Sequence, residues 1–233
     1  MGICAVRVLD ITQERIDSLG LLISLEKRNK IQRLINRQDK LRALIGEILI
    51  RTMIVEEMAI DNGDIIFEKN RYGKPYLRNH QGLDFNISHS GDFVICATDN
   101  KPIGVDIEEI KNIEYEDIAK EFFTSSEFQY ITKRDSHSCL SKFYEVWTLK
   151  ESYIKCCGKG LTIPLKSFSI DKDNYGEIKI VHSRREGNYT LETFDFHMGY
   201  KVSVCSKNKI IAKQITILDQ NQLINTYVNM CIQ

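Results

Sequence analysis

The sequence predicts an α+β protein that is a pseudo-dimer of two similar halves, residues 1–110 and 111–233. In each half a long helical pattern is followed by about five strand patterns, which predicts a helix packed on a mainly antiparallel sheet. The chain also repeats weakly: shifted by 108 residues, it matches itself without a gap at seven positions. These positions are His89, Gly91, Val94, Asn100, Lys101, Ile103 and Ile107, which fall on His197, Gly199, Val202, Asn208, Lys209, Ile211 and Ile215.

Composition limits the functions that such a protein can have. Lysine plus arginine equals aspartate plus glutamate at 32 each, whereas a protein that wraps nucleic acid is usually more basic. The seven cysteines show no C-x-x-C spacing, which disfavours a metal finger and indicates reduced thiols in the cytoplasm. We expect no secretion leader and no membrane span, because no basic-then-apolar segment opens the chain and no apolar run approaches roughly 18 residues.

The first half should begin with a strand, Cys4–Leu9, and a weakly patterned helix, Thr12–Leu25. The segment Leu25–Gln38 is rich in lysine and arginine. The long helix after it is expected to begin with Asp39 as its cap and to end at Met58. Four strands should follow, at Asp64–Glu68, Asp84–Ser88, Asp92–Asp99 and Ile103–Ile107.

The second half should open with three helices, at Tyr115–Phe123, Ser125–Arg134 and Ser141–Cys157. Gly158 and Pro164 are typical signals for the end of the third helix. Five strands and a terminal helix are expected after it, at Ser167–Ile170, Glu177–Val181, Tyr189–Phe196, Lys201–Cys205, Ala212–Leu218 and Gln220–Asn229.

The helix Ser141–Cys157 carries charged residues beside an apolar face. The residues that share this face, and that we expect to be buried, are Phe143, Val146, Trp147, Ile154 and Cys157. Glu151 and Lys155 stand one turn apart on its flank, either as an ordinary surface ion pair or as part of a functional site. Lys150 projects within the apolar stripe, so its ammonium group either reaches the rim or meets an anion.

Two carboxylates are present in only one copy of the repeat. Asp106 and Glu108 alternate along a predicted strand and share a face, whereas their counterparts are Gln214 and Thr216. One working site is therefore expected, in the cleft between the halves, where these acids face Glu151. Three carboxylates suit Mg²⁺, with Mn²⁺ as an alternative, and the lack of thiol and imidazole ligands disfavours zinc. The competing interpretation is an edge strand whose carboxylates face solvent.

Cationic residues of the first half come from separate segments, as expected for a ligand with several phosphates. They are Lys27, Lys30, Arg42, Lys74 and His89. The turn Tyr72–Pro75 offers backbone N–H groups, and Ser88 offers a hydroxyl. The alternatives are that the basic segment near Lys27 is the solvated side of an amphipathic helix, and that His89 is a structural histidine.

Four segments carry a resemblance to a known family: Gly104–Glu108, Trp147–Leu161, Phe85–Ser90 and Tyr72–Pro75. On these motifs the chain resembles the 4′-phosphopantetheinyl transferases, in particular the surfactin-type branch with two halves. The similarity extends through nearly the whole chain, and the two acidic motifs at this separation are specific together. The resemblance implies two α+β halves with the active site between them.

The resemblance also implies the reaction. Coenzyme A is cut at its pyrophosphate, the 4′-phosphopantetheine arm passes to a serine of an apo acyl or peptidyl carrier protein, and 3′,5′-ADP is released. Asp106, Glu108 and Glu151 would hold Mg²⁺ against the pyrophosphate. The expected coenzyme A contacts are Lys27, Lys30, Arg42, Gly73, Lys74, Pro75, Ser88, His89, Lys150 and Lys155. A chain that contains both halves is expected to act as a monomer.

Two residues of the second acidic motif are expected to be catalytic. Glu151 takes the proton of the carrier serine, directly or through a metal-bound water, and Lys155 neutralises or protonates the leaving phosphate. A metal-dependent nuclease would also suit these acids, but it predicts a basic groove, which the zero net charge disfavours. A binding module without catalysis predicts the loss of an acid or of Lys155, and none of them is lost.

Overall fold

The computed structural model describes residues 1–133, 136–173, 176–182 and 188–232. The first half contains β1 (Gly2–Arg7), α1 (Gln13–Gly20), α2 (Leu25–Arg33), α3 (Arg37–Met58), β2 (Phe67–Lys69), β3 (Pro75–Leu77), β4 (Asp84–Ser90), β5 (Phe93–Asp99) and β6 (Ile103–Glu109). The second half contains α4 (Tyr115–Phe122), α5 (Ser125–Thr132), α6 (Ser136–Cys157), β7 (Phe168–Lys172), β8 (Ile178–His182), β9 (Thr190–Phe194), β10 (Tyr200–Ser206), β11 (Thr216–Leu218) and α7 (Gln220–Ile232).

Several predicted boundaries differ from the structure. The cap of α3 is Asn36, whose Oδ1 accepts from the amide of Gln38 at 2.7 Å, while Asp39 lies in the first turn. The predicted strand Ala212–Leu218 is regular only at β11, and β3 has no sequence signal because three residues are too few to show alternation. Arg134, the predicted last residue of the helix before α6, lies outside the described residues.

Two larger sheets exchange their last strands. One has the order β11-β1-β5-β4 and the other β6-β10-β9, and every pair is antiparallel except β1 with β11. β6 therefore lies in the sheet of the second half and β11 in the sheet of the first. The hairpins β2-β3 and β7-β8 form two smaller sheets. The predicted α+β class and pseudo-dimeric arrangement are confirmed, while the division of the chain at residue 110 stays a prediction.

The weak sequence repeat corresponds to a structural repeat. Gly91 and Gly199 lie in matching turns between strands, with φ of 53° and 82°. Asn100 and Asn208 follow matching strands and contact each other, because Nδ2 of Asn208 donates to Oδ1 of Asn100 at 2.8 Å. The matching long helices, α3 and α6, contain 22 residues each.

α6 is buried on most of its circumference, not on one face as predicted. Of the five residues expected inside, three are buried (Phe143, Val146 and Ile154) and two are half-buried (Trp147 and Cys157). Leu149 and Tyr153 are buried as well. The reason is that α6 packs on β6 and β10 on one side and against α4, α5 and β7 on others.

Membrane-spanning helices and disulfide bonds are the two features on which composition gave an expectation. No helix in the described part of the chain is both long and apolar enough to cross a membrane. The cysteines of the described residues are free thiols in the structure.

Candidate active site

The two larger sheets meet edge to edge, along β4 and β6. N–H groups on the outer edge of β6 would be unpaired there, but side chains of β4 accept hydrogen bonds from three of them. The pairs are Asn86 Oδ1 with Val105 N (3.0 Å), Ser88 Oγ with Ile107 N (3.4 Å) and Ser90 Oγ with Glu109 N (3.0 Å). We call Asn86, Ser88 and Ser90 the β4 ladder. It holds the acidic strand against the first half, so β6 is an edge strand that does not present a free edge to solvent.

Asp106 is the most deeply buried of the three predicted acids, with 3% of its surface exposed. Its Oδ1 accepts from Ser88 Oγ at 2.9 Å and from the Lys155 ammonium at 2.6 Å. Its Oδ2 is buried and has no hydrogen-bond partner among the described residues. Burial raises the pKa of Asp106 above its ordinary value, and the charge of Lys155 opposes that shift. A buried carboxylate oxygen without a donor is stabilised when a cation binds it.

Glu108 and Glu151 lie near Asp106. Glu108 is on the same face of β6, and its Oε2 accepts from Ser90 Oγ at 2.7 Å. Burial raises the pKa of both glutamates, and the negative charge of Asp106 raises each further. Among the described residues, no three or more acidic, histidine or cysteine side chains already lie close enough together to coordinate a metal ion. The three carboxylates nevertheless repel one another, and a hard divalent cation such as Mg²⁺ or Mn²⁺ fits this set of oxygen ligands.

α6 approaches the acids because it packs directly on β6. At Gly104, a Cβ atom would lie 2.1 Å from the carbonyl oxygen of Ser152 and 2.4 Å from the amide nitrogen of Cys156. A side chain at this position would therefore push the helix away from the strand. α6 also contacts β10, the next strand, because the hydroxyl group of Thr148 on α6 lies 2.8 Å from the hydroxyl group of Ser203 on β10 and both are buried.

Lys155 crosses from α6 to the acidic strand. Its ammonium group binds Asp106 Oδ1, Ser88 Oγ at 3.0 Å and the carbonyl oxygen of Val105 at 3.3 Å. Among the ion pairs of the described residues, Lys155 is joined to Asp106 and not to Glu151. The interpretation of Glu151 and Lys155 as an ordinary surface ion pair is therefore wrong.

Arg42 and His89 lie together on the first-half side of the acids. Nη1 of Arg42 donates to the carbonyl oxygen of Gly91 at 2.6 Å, and Nη2 pairs with Asp39. Nε of Arg42 is buried and has no hydrogen-bond partner in the described part of the chain. Desolvation of its ring, and next the charge of Arg42, lower the pKa of His89. An imidazole with a lowered pKa and a guanidinium group therefore stand near the end of β4.

The two lysines of α2 have different surroundings. The ammonium group of Lys27 lies 3.3 Å from the buried carboxylate of Glu47. Lys30 is exposed and pairs with Glu26 one turn earlier, as on the solvated side of an amphipathic helix. The basic segment thus has one lysine directed at the protein and one directed at solvent.

The turn Tyr72–Pro75 contacts the end of α6. Nδ2 of Asn70 donates to the carbonyl oxygen of Gly158 at 2.8 Å, which connects the β2-β3 hairpin with the second half. The glycine of the turn has φ of 91°. The ammonium group of Lys74 is held 2.6 Å from Asp84, so its charge is already paired in this structure.

Known proteins are similar to the chain over most of its length. The 4′-phosphopantetheinyl transferase Sfp of Bacillus subtilis (strain 168) is 37% identical, over 92% of this chain and 95% of that protein. The 4′-phosphopantetheinyl transferase gsp of Aneurinibacillus migulanus is 38% identical, over 94% of this chain and 92% of that protein. The chain belongs to the 4′-phosphopantetheinyl transferase family. It is an enzyme of the transferase class.

Two family models match adjacent parts of the transferase. The 4′-phosphopantetheinyl transferase superfamily matches residues 102–205, and the N-terminal part of a 4′-phosphopantetheinyl transferase matches residues 11–101. A crystal structure of a holo-(acyl-carrier-protein) synthase from Bacillus anthracis str. Ames, in complex with CoA (3′,5′-ADP), is 19% identical with a TM-score of 0.41. It covers 45% of this chain and 93% of its own.

The predicted contact of Lys150 with the ligand of the transferase is wrong. Lys150 has 0% of its side chain exposed, and its ammonium group lies 2.8 Å from Glu127 on α5. It also donates to the carbonyl oxygens of Leu165 (2.9 Å) and Phe168 (2.7 Å). Burial lowers the pKa of Lys150, and Glu127 opposes that shift. The anion that Lys150 meets is an internal carboxylate, so this lysine joins α6 to α5 and β7.

The sequence indicates some of the other residues that shape the site of the transferase and not others. Asn86 and Ser90 are recognisable, because polar residues at every second position of β4 match the alternation of the acids on β6. Glu127 has the local signature of a capping box with Thr124, which the structure contains, but nothing near it indicates its second role with Lys150.

Proposed function

We propose that the transferase moves the 4′-phosphopantetheine group from coenzyme A to the serine hydroxyl of an apo acyl or peptidyl carrier protein, with Mg²⁺ and with release of 3′,5′-ADP. The observation that carries the proposal is the meeting of Asp106, Glu108 and Glu151 with Lys155 where the two sheets join. Transfer from a pyrophosphate needs charge stabilisation at its oxygens, an acceptor for the serine proton and neutralisation of the leaving phosphate. Each need has a candidate among these four residues.

Asp106, Glu108 and Glu151 would hold the Mg²⁺ ion, for which Mn²⁺ is a substitute. When bound, the ion supplies positive charge to the pyrophosphate oxygens. The buried Oδ2 of Asp106, to which no described residue donates a hydrogen bond, supports this assignment. The raised pKa values of the three carboxyl groups support it too, because their ionised forms are the ones that a nearby cation stabilises.

Glu151 is the proposed acceptor of the serine proton. In the metal-free protein, burial, and next the charge of Asp106, raise the pKa of Glu151 above its ordinary value. A positioned base contributes about 10²–10⁴ in rate. Lys155 is the proposed partner of the leaving phosphate, because its ammonium group is partly exposed at the acidic strand.

The nucleotide and phosphates of coenzyme A are proposed to bind on the first-half side of the acids. Arg42 and His89 offer N–H groups near the end of β4, and Lys30 is exposed on α2. Lys27 and Lys74 contribute positive charge while paired with carboxylates. The backbone of Gly73 and Pro75 lies in the same turn as Lys74.

Because residues of both halves build the site, we propose that a single chain is the active form. Oligomerisation would add nothing that the proposed chemistry requires. The cytoplasmic location stays a prediction from the pattern of cysteines.

Incubation of the protein with coenzyme A, Mg²⁺ and an apo carrier protein tests the proposal. The carrier should gain the mass of one phosphopantetheine in mass spectrometry, and 3′,5′-ADP should appear in equal amount. Chelation with EDTA should stop the transfer, and added Mg²⁺ or Mn²⁺ should restore it. A carrier whose acceptor serine is replaced by alanine is the control. Binding of coenzyme A without transfer, or cleavage of nucleic acid, would contradict the proposal.

A further inference from the structure

The β4 ladder contacts the acids as well as the backbone of their strand. Ser88 and Ser90 each accept from an N–H group of β6 and donate their own proton to a carboxylate, Ser88 to Asp106 at 2.9 Å and Ser90 to Glu108 at 2.7 Å. A hydroxyl group has one proton and two lone pairs. All three are used in Ser88, because Lys155 is its third partner. The predicted contact of Ser88 with coenzyme A stays a prediction.

The second copy of the repeat lacks both the ladder and the acids. Shifted by 108 residues, Asn86, Ser88, Ser90, Asp106 and Glu108 correspond to Phe194, Phe196, Met198, Gln214 and Thr216. The hydroxyl groups are thus present in the copy that has the carboxylates and are replaced by apolar side chains in the other. This difference links the hydroxyl groups to the acids rather than to the strand arrangement that both copies share.

We propose that Ser88 and Ser90 are positioning residues that orient Asp106 and Glu108 for a divalent cation. The inference rests on the proposed function. Each hydroxyl holds one oxygen of its carboxylate, which leaves the other oxygen for the cation; in Asp106 that atom is the buried Oδ2. Hydrogen bonds that orient metal-binding side chains contribute about 10–100-fold in metal affinity. Ser90 gives the cleaner test, because Ser88 also binds Lys155.

Mn²⁺ alone is the probe, and its binding to metal-free protein is measured from the paramagnetic resonance signal of the unbound ion. The dissociation constant should rise about 10-fold or more in Ser90→Ala and return towards the wild-type value in Ser90→Thr, which keeps the hydroxyl group. Thermal unfolding and circular dichroism of each variant report whether it is folded.

Ser206→Ala is the matched control. Ser206 Oγ donates to Asp99 at 2.7 Å and accepts from the amide of Asn208 at 2.9 Å, the same two kinds of bond that Ser90 makes. It pairs with Ile103, at the opposite end of β6 from Glu109. Ser206→Ala should lower the melting temperature and leave the Mn²⁺ dissociation constant unchanged.

A second measurement separates positioning from general damage. The affinity for 3′,5′-ADP in EDTA, measured by calorimetry, should be the same in Ser90→Ala as in wild type. If Ser90→Ala loses affinity for 3′,5′-ADP and for Mn²⁺ by the same factor, the role of Ser90 is structural and the inference is overturned.

Equal Mn²⁺ affinity in folded Ser90→Ala and in wild type overturns the inference and leaves the proposed function in place. Failure of the wild-type protein to bind Mn²⁺ overturns the metal part of the proposed function and the inference with it. If Ser90→Ala does not fold, Ser88→Ala decides: weaker Mn²⁺ binding supports the inference, and unchanged binding overturns it.

Discussion

The long helices α3 and α6 carry the same pair of charges and use it differently. Shifted by 104 residues, Glu47 and Arg51 correspond to Glu151 and Lys155. In α3 the pair is closed, because Arg51 Nε lies 2.7 Å from Glu47 Oε1, both side chains are buried, and Lys27 adds a second cation. In α6 the pair is open, because Lys155 turns to the acidic strand.

This difference teaches that the spacing of two charges on a helix does not decide their role. Glu151 has no ion pair among the described residues, and burial raises its pKa. What differs is the facing strand, which offers Asp106 to Lys155. In the first half Glu47 and Arg51 form a buried ion pair that stabilises the packing of α3. In the second half Glu151 and Lys155 are not paired with each other, so both groups are available for the proposed chemistry.

The largest effect is expected when Lys155, the cation of the open pair in α6, is removed. Lys155→Ala should lower turnover by about 10²–10⁴-fold, with a smaller change in coenzyme A affinity, because the leaving phosphate loses its cation. Arg51→Ala, the matching change in α3, should leave the turnover of folded protein nearly unchanged. It should lower the free energy of unfolding by about 3 kcal/mol, since Glu47 stays buried with Lys27 as its remaining partner.

Single-turnover transfer to a carrier protein and urea unfolding measure these two effects. A similar loss of turnover in both variants would remove the functional distinction between the helices. A loss of coenzyme A affinity larger than the loss of turnover in Lys155→Ala would move Lys155 to a binding role.

The second effect concerns the buried ion pair between Lys150 on α6 and Glu127 on α5. Lys150→Met should lower the free energy of unfolding by about 3–5 kcal/mol, because it leaves Glu127 buried without its cation. The folded fraction should bind coenzyme A as wild type does, since Lys150 has no exposed surface. Chemical unfolding and calorimetry on the same preparation test both statements, and weaker binding by a fully folded variant would restore Lys150 to the ligand site.

A smaller effect tests the close approach of α6 to its strand. Gly104→Ala would bring a Cβ atom against backbone atoms of Ser152 and Cys156, whereas the counterpart of Gly104 in the other copy, Ala212, carries a Cβ. We expect a loss of about 1–3 kcal/mol in the free energy of unfolding and reduced transfer, because α6 must move away from Asp106. Gly63→Ala, where no atom lies within 4 Å, is the control. Equal stability of the two variants would contradict the packing argument.

The smallest effect is a pH dependence of stability that the three carboxyl groups of the site should produce. A carboxyl group whose pKa is raised on folding contributes stability below its ordinary pKa of about 4, and that stability is lost as pH rises through the raised value. Asp106, Glu108 and Glu151 all have raised pKa values. The stability that these three groups contribute to the metal-free protein should therefore fall as pH rises from about 4 towards neutrality.

Glu151→Gln should flatten that dependence and slightly stabilise the metal-free protein near neutral pH, because it removes one of the repelling charges. Urea unfolding in EDTA over this pH range measures it. Parallel curves for variant and wild type would show that Glu151 does not contribute. The same variant should have almost no transfer activity, and near-normal turnover at saturating Mg²⁺ would exclude Glu151 as base.

The elements with strong periodicity were predictable, and their partners were not. The pattern of apolar residues indicates the long helix at α3 and most of α6, and the alternation around Asp106 places both strand acids on one face. The same pattern leads to an error at Lys150, because a stripe along one helix does not reveal which other segment covers it. Here α5 supplies Glu127 at that point.

From the residues alone follow the α+β class, the repeat and the acids that occur in one copy, because these depend on periodicity and composition along the chain. Only the tertiary structure decides that β6 and β11 change sheets, that Lys155 binds Asp106, 49 residues away, and that Ser88 and Ser90 hold the strand acids. The physical reason is that a charge or a hydroxyl group pairs with whatever packing brings within about 3 Å, and that distance is set by contacts between distant segments.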